Sequence, residues 1–279
     1  MIWNLGGGRS LDCRNPRIMG ILNVAPDSFS DGGRYLDPAR ALDRAEAMVA
    51  EGATMIDVGG ESNRPQAPEI SVAEECRRVL PVIEKLRERL DVPISIDTRK
   101  AEVAKLAVEN GATIVNDVAA ASRNSAMLDV VKASGCGYVA MHMQGTPQSM
   151  QTAPTYRNVV EEVEQCFESW LQHYAAIGIE KEQIVLDVGI GFGKTVAHNL
   201  LLMRELENYN KHGRPILLGA SRKSFIGKVL GLELATDRLA GSLACVAWGL
   251  KSGVTLFRVH DVRETSHLIR VWGAIEAGL

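Results

Sequence analysis

Short β-branched or apolar runs, each followed by a longer stretch of helical period, recur along the chain, and this alternation limits the possible folds more than any other feature. The runs begin near Ile18, Met55, Ile94, Ile114, Tyr138, Ile184, Ile216 and Val254. Helical patterns occupy 38–51, 72–90, 100–110, 124–133, 156–177, 197–211, 237–251 and 262–277. A strand that must be followed by a helix before the next strand can pair is a parallel crossover unit. Eight such units fit a chain of 279 residues best as a closed (β/α)₈ TIM barrel, although an open doubly wound sheet has the same local pattern. The segment 2–11, with Gly6-Gly7-Gly8 between apolar ends, predicts a short N-terminal β-hairpin ahead of the barrel. No linker, low-complexity tract or charge run divides the chain, so a single domain is expected, with the hairpin over 1–15 and the barrel over 16–279.

Some boundaries carry their own mechanism. Asp37-Pro38 reads as an N-cap followed by proline at the first helical position, and Ser71-x-x-Glu74 as a capping box. Gly52, Gly111, Gly178 and Gly213 stand where left-handed residues would stop helices.

Charge and cysteine usage exclude several function classes. With 31 Lys and Arg against 34 Asp and Glu, the net charge of -3 favours neither nucleic acid nor an anionic membrane, so any anion site must be local. The longest apolar stretch, near 239–250, is broken by Ser242 and is too short to span a bilayer. Asn4, three glycines and Arg9 replace the apolar core that a signal peptide needs. Five cysteines without a C-x-x-C pair argue against a disulfide framework and a zinc site, and the cytoplasm is the expected compartment.

Loops after barrel strands are where such folds keep their chemistry. The strands run into Asn23, Asp57, Asp97, Asn116-Asp117, His142, Asp187, Gly219 and the Arg258-Val259-His260 triplet. Helix capping explains a single Asp or Asn there, but not Arg258 and His260 together. Asp97, Asn116 and Asp187 suit the donor-rich edge of an aminopyrimidine-like ring, while Asn23, Arg64, Lys223, Arg258 and His260 suit phosphates. Ser221-Arg222-Lys223-Ser224 opens a helix and reads as an anion seat. The run from Gly189 to Thr195 imitates a nucleotide-binding loop, yet Val188 stands where that loop needs glycine; a tight turn with Phe192 facing the pocket is expected instead. His173, His198, His212 and His267 lie in helical stretches and read as surface residues. No paired-histidine motif marks a transition-metal site, whereas magnesium held by Asn23 and phosphate would leave no pattern.

At these positions the sequence resembles the dihydropteroate synthase family. The matching segments are Met19-Gly-Ile-Leu-Asn-Val-Ala-Pro-Asp-Ser-Phe-Ser-Asp-Gly-Gly33, Asp57-Val-Gly-Gly-Glu-Ser-Asn-Arg-Pro65, Ser95-Ile-Asp-Thr98, Asn116-Asp117, Met141-His-Met-Gln-Gly-Thr-Pro147, Gly189-Ile-Gly-Phe-Gly-Lys-Thr195, Ser221-Arg-Lys-Ser224 and Arg258-Val-His-Asp-Val262, spanning almost the whole chain in family order. The resemblance implies a transferase that joins 4-aminobenzoate to 6-hydroxymethyl-7,8-dihydropterin diphosphate. It implies that Asp97, Asn116, Asp187 and Lys223 hold the pterin, that Met141 and Phe192 line its faces and that Gly219 allows close backbone approach. By the same resemblance Asn23 ligates Mg²⁺, Arg64, Arg258 and His260 grip the diphosphate, and Asp31 helps close over it. Phe29, Pro65 and Ser224 then surround the aminobenzoate, Asn63 is a further substrate-binding residue, sulfonamides are inhibitors, and a homodimer is expected, with Trp248 and Trp272 as apolar residues for its interface. The sequence departs from the family at Ala25 and Asn63, where Thr is usual, at Gln66, where Gly is usual, and at Val188, where Pro is usual. Two other readings share the barrel: a pterin-dependent methyltransferase module, and a catalytically silent paralogue that keeps the pterin pocket.

Overall fold

In a computed structural model of the protein, residues 1–24, 38–62, 67–120 and 125–278 are described. Strands β1 (Ile2–Asn4) and β2 (Ser10–Asp12) pair antiparallel, Trp3 opposite Leu11. The next eight strands are β3 (Arg17–Asn23), β4 (Met55–Gly59), β5 (Ile94–Asp97), β6 (Ile114–Asp117), β7 (Gly137–Met141), β8 (Ile184–Asp187), β9 (Ile216–Leu218) and β10 (Leu256–Val259). They pair in parallel, each with its sequence neighbour, and β10 returns to β3 to close a barrel. Both faces of each strand are buried, which is why the strands read as nearly unbroken apolar runs and not as alternating ones.

Successive side chains nevertheless alternate between the barrel interior and the surrounding helices. Outward residues such as Ile18, Ile56, Val115, Tyr138 and Leu218 pack in the main core with the helices. Inward residues Met19, Met55, Ile114, Val139, Val185, Leu217 and Leu256 form a second cluster with Trp3, Leu5 and Cys13. The hairpin therefore plugs the N-terminal end of the barrel, and Trp3 fixes it by donating from Nε1 to the Gln183 carbonyl at 2.8 Å.

The helices are α1 (Pro38–Glu51), α2 (Val72–Arg89), α3 (Ala101–Glu109), α4 (Ser125–Ser134), α5 (Val159–Ala176), α6 (Val196–Arg204), α7 (Ser224–Leu230), α8 (Leu239–Lys251) and α9 (Val262–Ala277). These are nine among the described residues where the periodicity gave eight, because α7 is too short to display a period and ends at Gly231 in the left-handed region. The pattern over 156–177 becomes helical only at Val159, since the Asn158 side chain accepts from Val160 and Glu161 N–H as the cap. The pattern over 197–211 splits at Glu205 into α6 and a 3₁₀ turn. Ser71 caps α2 as expected, but the Glu74 carboxylate turns to Arg77 and Arg78 and the reciprocal half of the box is not made. Asp37 lies outside the described residues. His212 is not a surface residue: it is buried against Phe167. Among the described residues no helix is long and apolar enough to cross a membrane.

Candidate active site

The inward phase that makes the apolar floor also makes the site. Two residues beyond Met55, Ile114, Val139, Val185, Leu217 and Leu256 stand Asp57, Asn116, Met141, Asp187, Gly219 and Arg258, and Asp97 shares their inward phase on β5, opposite Asn116. A further step of two on β3 and β10 reaches Asn23 and His260. The sequence thus changes from apolar to polar along one face of one barrel, and strand geometry alone gathers these side chains at its C-terminal mouth.

At the centre, Arg258 donates from Nε to Asp57 at 2.6 Å and from Nη2 to Asp97 at 2.7 Å, while Asn116 Nδ2 donates to the same Asp57 oxygen at 3.1 Å. All three partners are at most 5% exposed. Burial opposes a guanidinium charge, but the two carboxylates outweigh it and hold the Arg258 pKa above its ordinary value. Arg258 is therefore not simply a cation facing the mouth; it is tied to two buried carboxylates on β4 and β5.

Across the mouth, Asp187 accepts from the Gly189 N–H at 2.7 Å, and burial raises its pKa against the pull of Lys223. Lys223 donates to the Ile190 carbonyl and places Nζ 4.0 Å from the centre of the Phe192 ring. Burial pushes this ammonium down to about 7, with Asp187 opposing the shift. Gly219 leaves open space between Asp187 and Arg258: a Cβ there would sit 3.8 Å from the Asp187 carboxylate and 3.9 Å from Arg258 Cβ. Met141 joins Val118, Met143 and Met150 in a small apolar cluster against which Phe192 packs, giving the site one apolar wall.

His260 N–H donates to Ser221 Oγ at 3.2 Å, and the same oxygen lies 3.0 Å from His260 Nδ1. Burial, then the nearby Arg258 and Arg222, push the imidazole down to about 3, so it is neutral at pH 7. Arg222 has φ of 58°, an uncommon conformation for a residue with a side chain. It is held by its N–H donating to Ser242 Oγ at 2.9 Å and by its guanidinium pairing with Asp261. This turn sends Ser221 to His260 and Lys223 into the mouth, while Ser224 begins α7 at the exposed rim.

Asp97, Asn116, Met141, Asp187, Phe192, Gly219, Lys223 and Arg258 thus converge as the sequence predicts, with Asn23, His260 and Ser224 at the same end. Phe29, Asp31, Asn63, Arg64 and Pro65 lie outside the described residues. Sequence reasoning placed Asp57 at a strand end and Ser221 in the anion seat but gave neither a role of its own, although the phase of Asp57 on β4 equals that of Asp97 on β5. Among the described residues no cluster of three His, Cys, Asp or Glu side chains could hold a metal. Asn23 offers a single hard oxygen, and a Cβ added to Gly59 would lie 3.5 Å from it and 3.6 Å from Asp97 Cβ, so the bare glycine brings the two close.

This geometry can hold a flat polar ring between Asp97 and Asp187 and an anion beside Arg258 and His260. The family profile of pterin binding enzymes matches residues 19–260. The dihydropteroate synthase of Escherichia coli strain K12 is 46% identical over 95% of this chain and 93% of its own length. Among solved structures, Yersinia pestis dihydropteroate synthase in complex with a sulfonamide drug has a TM-score of 0.93 at 40% identity, covering 99% of this chain and 100% of that one. Xanthomonas albilineans dihydropteroate synthase with 4-aminobenzoic acid has a TM-score of 0.92 at 41% identity, covering 99% of both chains. The chain belongs to the dihydropteroate synthase family of pterin-binding enzymes.

Proposed function

We infer that the protein condenses 6-hydroxymethyl-7,8-dihydropterin diphosphate with 4-aminobenzoate, giving 7,8-dihydropteroate and diphosphate in folate biosynthesis. The observation that carries this reading is the buried layer in which Asp97, Arg258, Asp57 and Asn116 face Asp187 and Lys223, in a chain matched over almost its full length by dihydropteroate synthases. The pterin's ring N–H groups are donors, and Asp97 and Asp187 accept from them; Asn116 and Lys223 donate to its ring nitrogens and carbonyl. Met141 and Phe192 cover its faces, and Gly219 leaves room for its edge. As the C–O bond to diphosphate breaks, positive charge develops on the methylene carbon and negative charge on the leaving group. Asp97 steadies the first, and Arg258 with neutral His260 as a hydrogen-bond donor steadies the second. The arylamine is neutral at pH 7 and nucleophilic, so no side chain has to deprotonate it before attack.

Mg²⁺ is the proposed cofactor. The Asn23 carboxamide oxygen fits its preference for hard ligands and would hold it together with substrate oxygens and water. Bound there, the ion supplies Lewis-acid stabilisation of the leaving group. From the first two loops, Asp31 and Arg64 are proposed to close over the diphosphate, with Phe29, Asn63 and Pro65 joining Ser224 around the aminobenzoate. That sulfonamides inhibit this protein is part of the same reading, supported by the Yersinia pestis relative. The protein is proposed to work as a homodimer, and in the cytoplasm, in keeping with five free cysteines.

The test is turnover with both substrates and Mg²⁺, followed by diphosphate release. Formation of dihydropteroate, abolished on omitting either substrate, is expected; pterin binding without product would instead identify a silent pterin-binding protein. In the same assay Asp97→Asn is expected to lose at least about tenfold in kcat/KM, the loss of one charge-assisted bond.

A further inference from the structure

The run Gly189–Thr195 lacks the glycine that a nucleotide-binding loop needs at 188, and its lysine takes no part in the chemistry described above. Lys194 is nevertheless one of the most deeply buried charged side chains, 3% exposed. Its amine turns inward, donates to the His142 carbonyl at 3.2 Å and the Phe192 carbonyl at 3.0 Å, and lies 3.0 Å from His142 Nδ1. Among the described residues no carboxylate pairs with it within 4.0 Å. When protonated the amine has three N–H donors and no lone pair, so three converging acceptors satisfy it, and Asp187 favours its charge from beyond pairing distance. His142 then offers Nδ1 as acceptor and carries its proton on Nε2.

These acceptors belong to two different loops, one after β7 and one after β8. The glycines of the second loop let it close on the first: a Cβ at Gly189 would stand 1.8 Å from the His142 carbonyl oxygen, and one at Gly193 2.3 Å from that of Gln144. Both have positive φ. Asn199 accepts from Gly191 N–H at 2.6 Å and Tyr156 donates to the Gly193 carbonyl at 2.9 Å, fixing the flanks. What this frame presents to the mouth is the Phe192 ring and the Ile190 carbonyl, the two groups that hold Lys223. On the other loop, Met141 immediately precedes His142.

We propose that Lys194 is a positioning residue, whose amine locks the loop after β8 onto His142 and so sets Phe192 and Lys223 at the spacing that pterin binding requires. The proposal rests on the reading that the pterin meets Phe192 and Lys223. Burying an amine where a Met or Leu would fill the same space costs desolvation, and the return is a fixed backbone at the two carbonyls it holds. Burial pushes Lys194 down to about 7 and His142 to about 3, consistent with a neutral imidazole accepting from the amine.

Calorimetric binding of 6-hydroxymethylpterin and steady-state kinetics test this. Lys194→Met is expected to weaken pterin binding about tenfold or more, since a displacement near 1 Å in a positioned group has effects of this size. The KM for 4-aminobenzoate is expected to stay within about twofold, a split that general loosening would not produce. Val131→Ala in α4, matched for thermal stability, serves as the control for loosening alone. His142→Leu, which removes the Nδ1 acceptor, should reproduce the pterin defect, and His142→Asn, which retains an acceptor, should restore binding; this pair decides the matter if Lys194→Met does not fold. Native pterin affinity in Lys194→Met, or in His142→Leu, overturns the proposal. Phe192→Ala and Lys223→Met are the benchmarks: if they also bind pterin normally, the assignment of the pterin site is itself wrong and the proposal falls with it, whereas weakened binding in them alone sinks only the role of Lys194.

Discussion

Asp57 is fully buried and makes no contact with solvent, yet one of its oxygens receives both Arg258 Nε and Asn116 Nδ2. Together with Asp97 it compensates the buried guanidinium at the bottom of the mouth. Asp57→Asn keeps the shape but leaves Arg258 with Asp97 as its remaining carboxylate. A loss of more than about tenfold in kcat/KM is expected, because removing one partner of a buried pair leaves the other charge uncompensated. Asp57→Ala adds a cavity and should destabilise by about 3–5 kcal/mol. Kinetics and urea unfolding of both variants check this, and native-like values in Asp57→Asn would contradict it. The histidines give a pH dependence of definite sign. His142 and His260 are pushed from an ordinary 6.5 to about 3, so over that window the unfolded chain binds protons that the folded one does not. Their contribution to stability is intact above 6.5 and is lost as pH falls toward 3. Asp117, raised by burial from 3.8 to about 6, acts in the opposite sense over part of that range. In urea unfolding across this window, His260→Asn should show a shallower fall of stability with acid than the native chain; an equal slope in both counts against a neutral His260.

The hairpin is an element whose sequence reads as a turn and whose role appears only in three dimensions. Three glycines predict the reversal, and β1 and β2 flank it, but nothing local says that Trp3 enters the barrel floor beside Met19, Met55 and Val185. Trp3→Ala should cost about 3–5 kcal/mol, the range for deleting a large buried aromatic, and should lower thermal stability without changing pterin affinity, since the floor lies a full layer below the site. A loss of pterin affinity at matched stability would show that floor and site are coupled. The same contrast explains how much of the molecule was legible. Strands β3 to β9 begin within one residue of the runs that predict them, because a short apolar run between polar turns has little else it can become. Strand β10 starts at Leu256 and not Val254, since Val254 is taken up by the turn after α8, where its N–H reaches the Gly249 carbonyl. Asp97, Asn116, Asp187 and Arg258 were readable from their positions at strand ends, and Asp57 was equally readable from its phase. Lys194 and Phe192 were not fully so: a glycine-rich loop fixes no period, and the direction of a lysine within it is decided by carbonyls from another loop.

At the scale of the whole molecule the barrel is polarised, closed by apolar side chains at the N-terminal end and lined with charges at the other. The overall charge of -3 says nothing of this, because it sums over the whole chain while Lys223 and Arg258 stand together with buried carboxylates at the mouth. The outer surface is uneven as well. Val229 and Leu230 on α7, Leu234 after it, Trp248 on α8, and Val271 and Ile275 on α9 are all exposed large apolar residues, with Ile275 at 73% and Leu234 at 64%. Trp272, expected among them, is only half-buried, and Trp248 donates from its indole to the Met203 carbonyl at 2.7 Å. Isolated exposed apolar residues are ordinary, but their concentration on three consecutive helices, which pack α7 on α8 and α8 on α9, fits a surface covered by a second copy. The native chain is therefore expected to sediment as a dimer at micromolar concentration. Val271→Glu with Ile275→Glu should shift it toward monomer while far-ultraviolet circular dichroism stays unchanged, because both side chains face away from the core and a buried carboxylate pair at a two-fold interface would be paid for twice. A native chain that sediments as a monomer, or a double variant that dimerises as tightly as the native chain, would remove α9 from the interface.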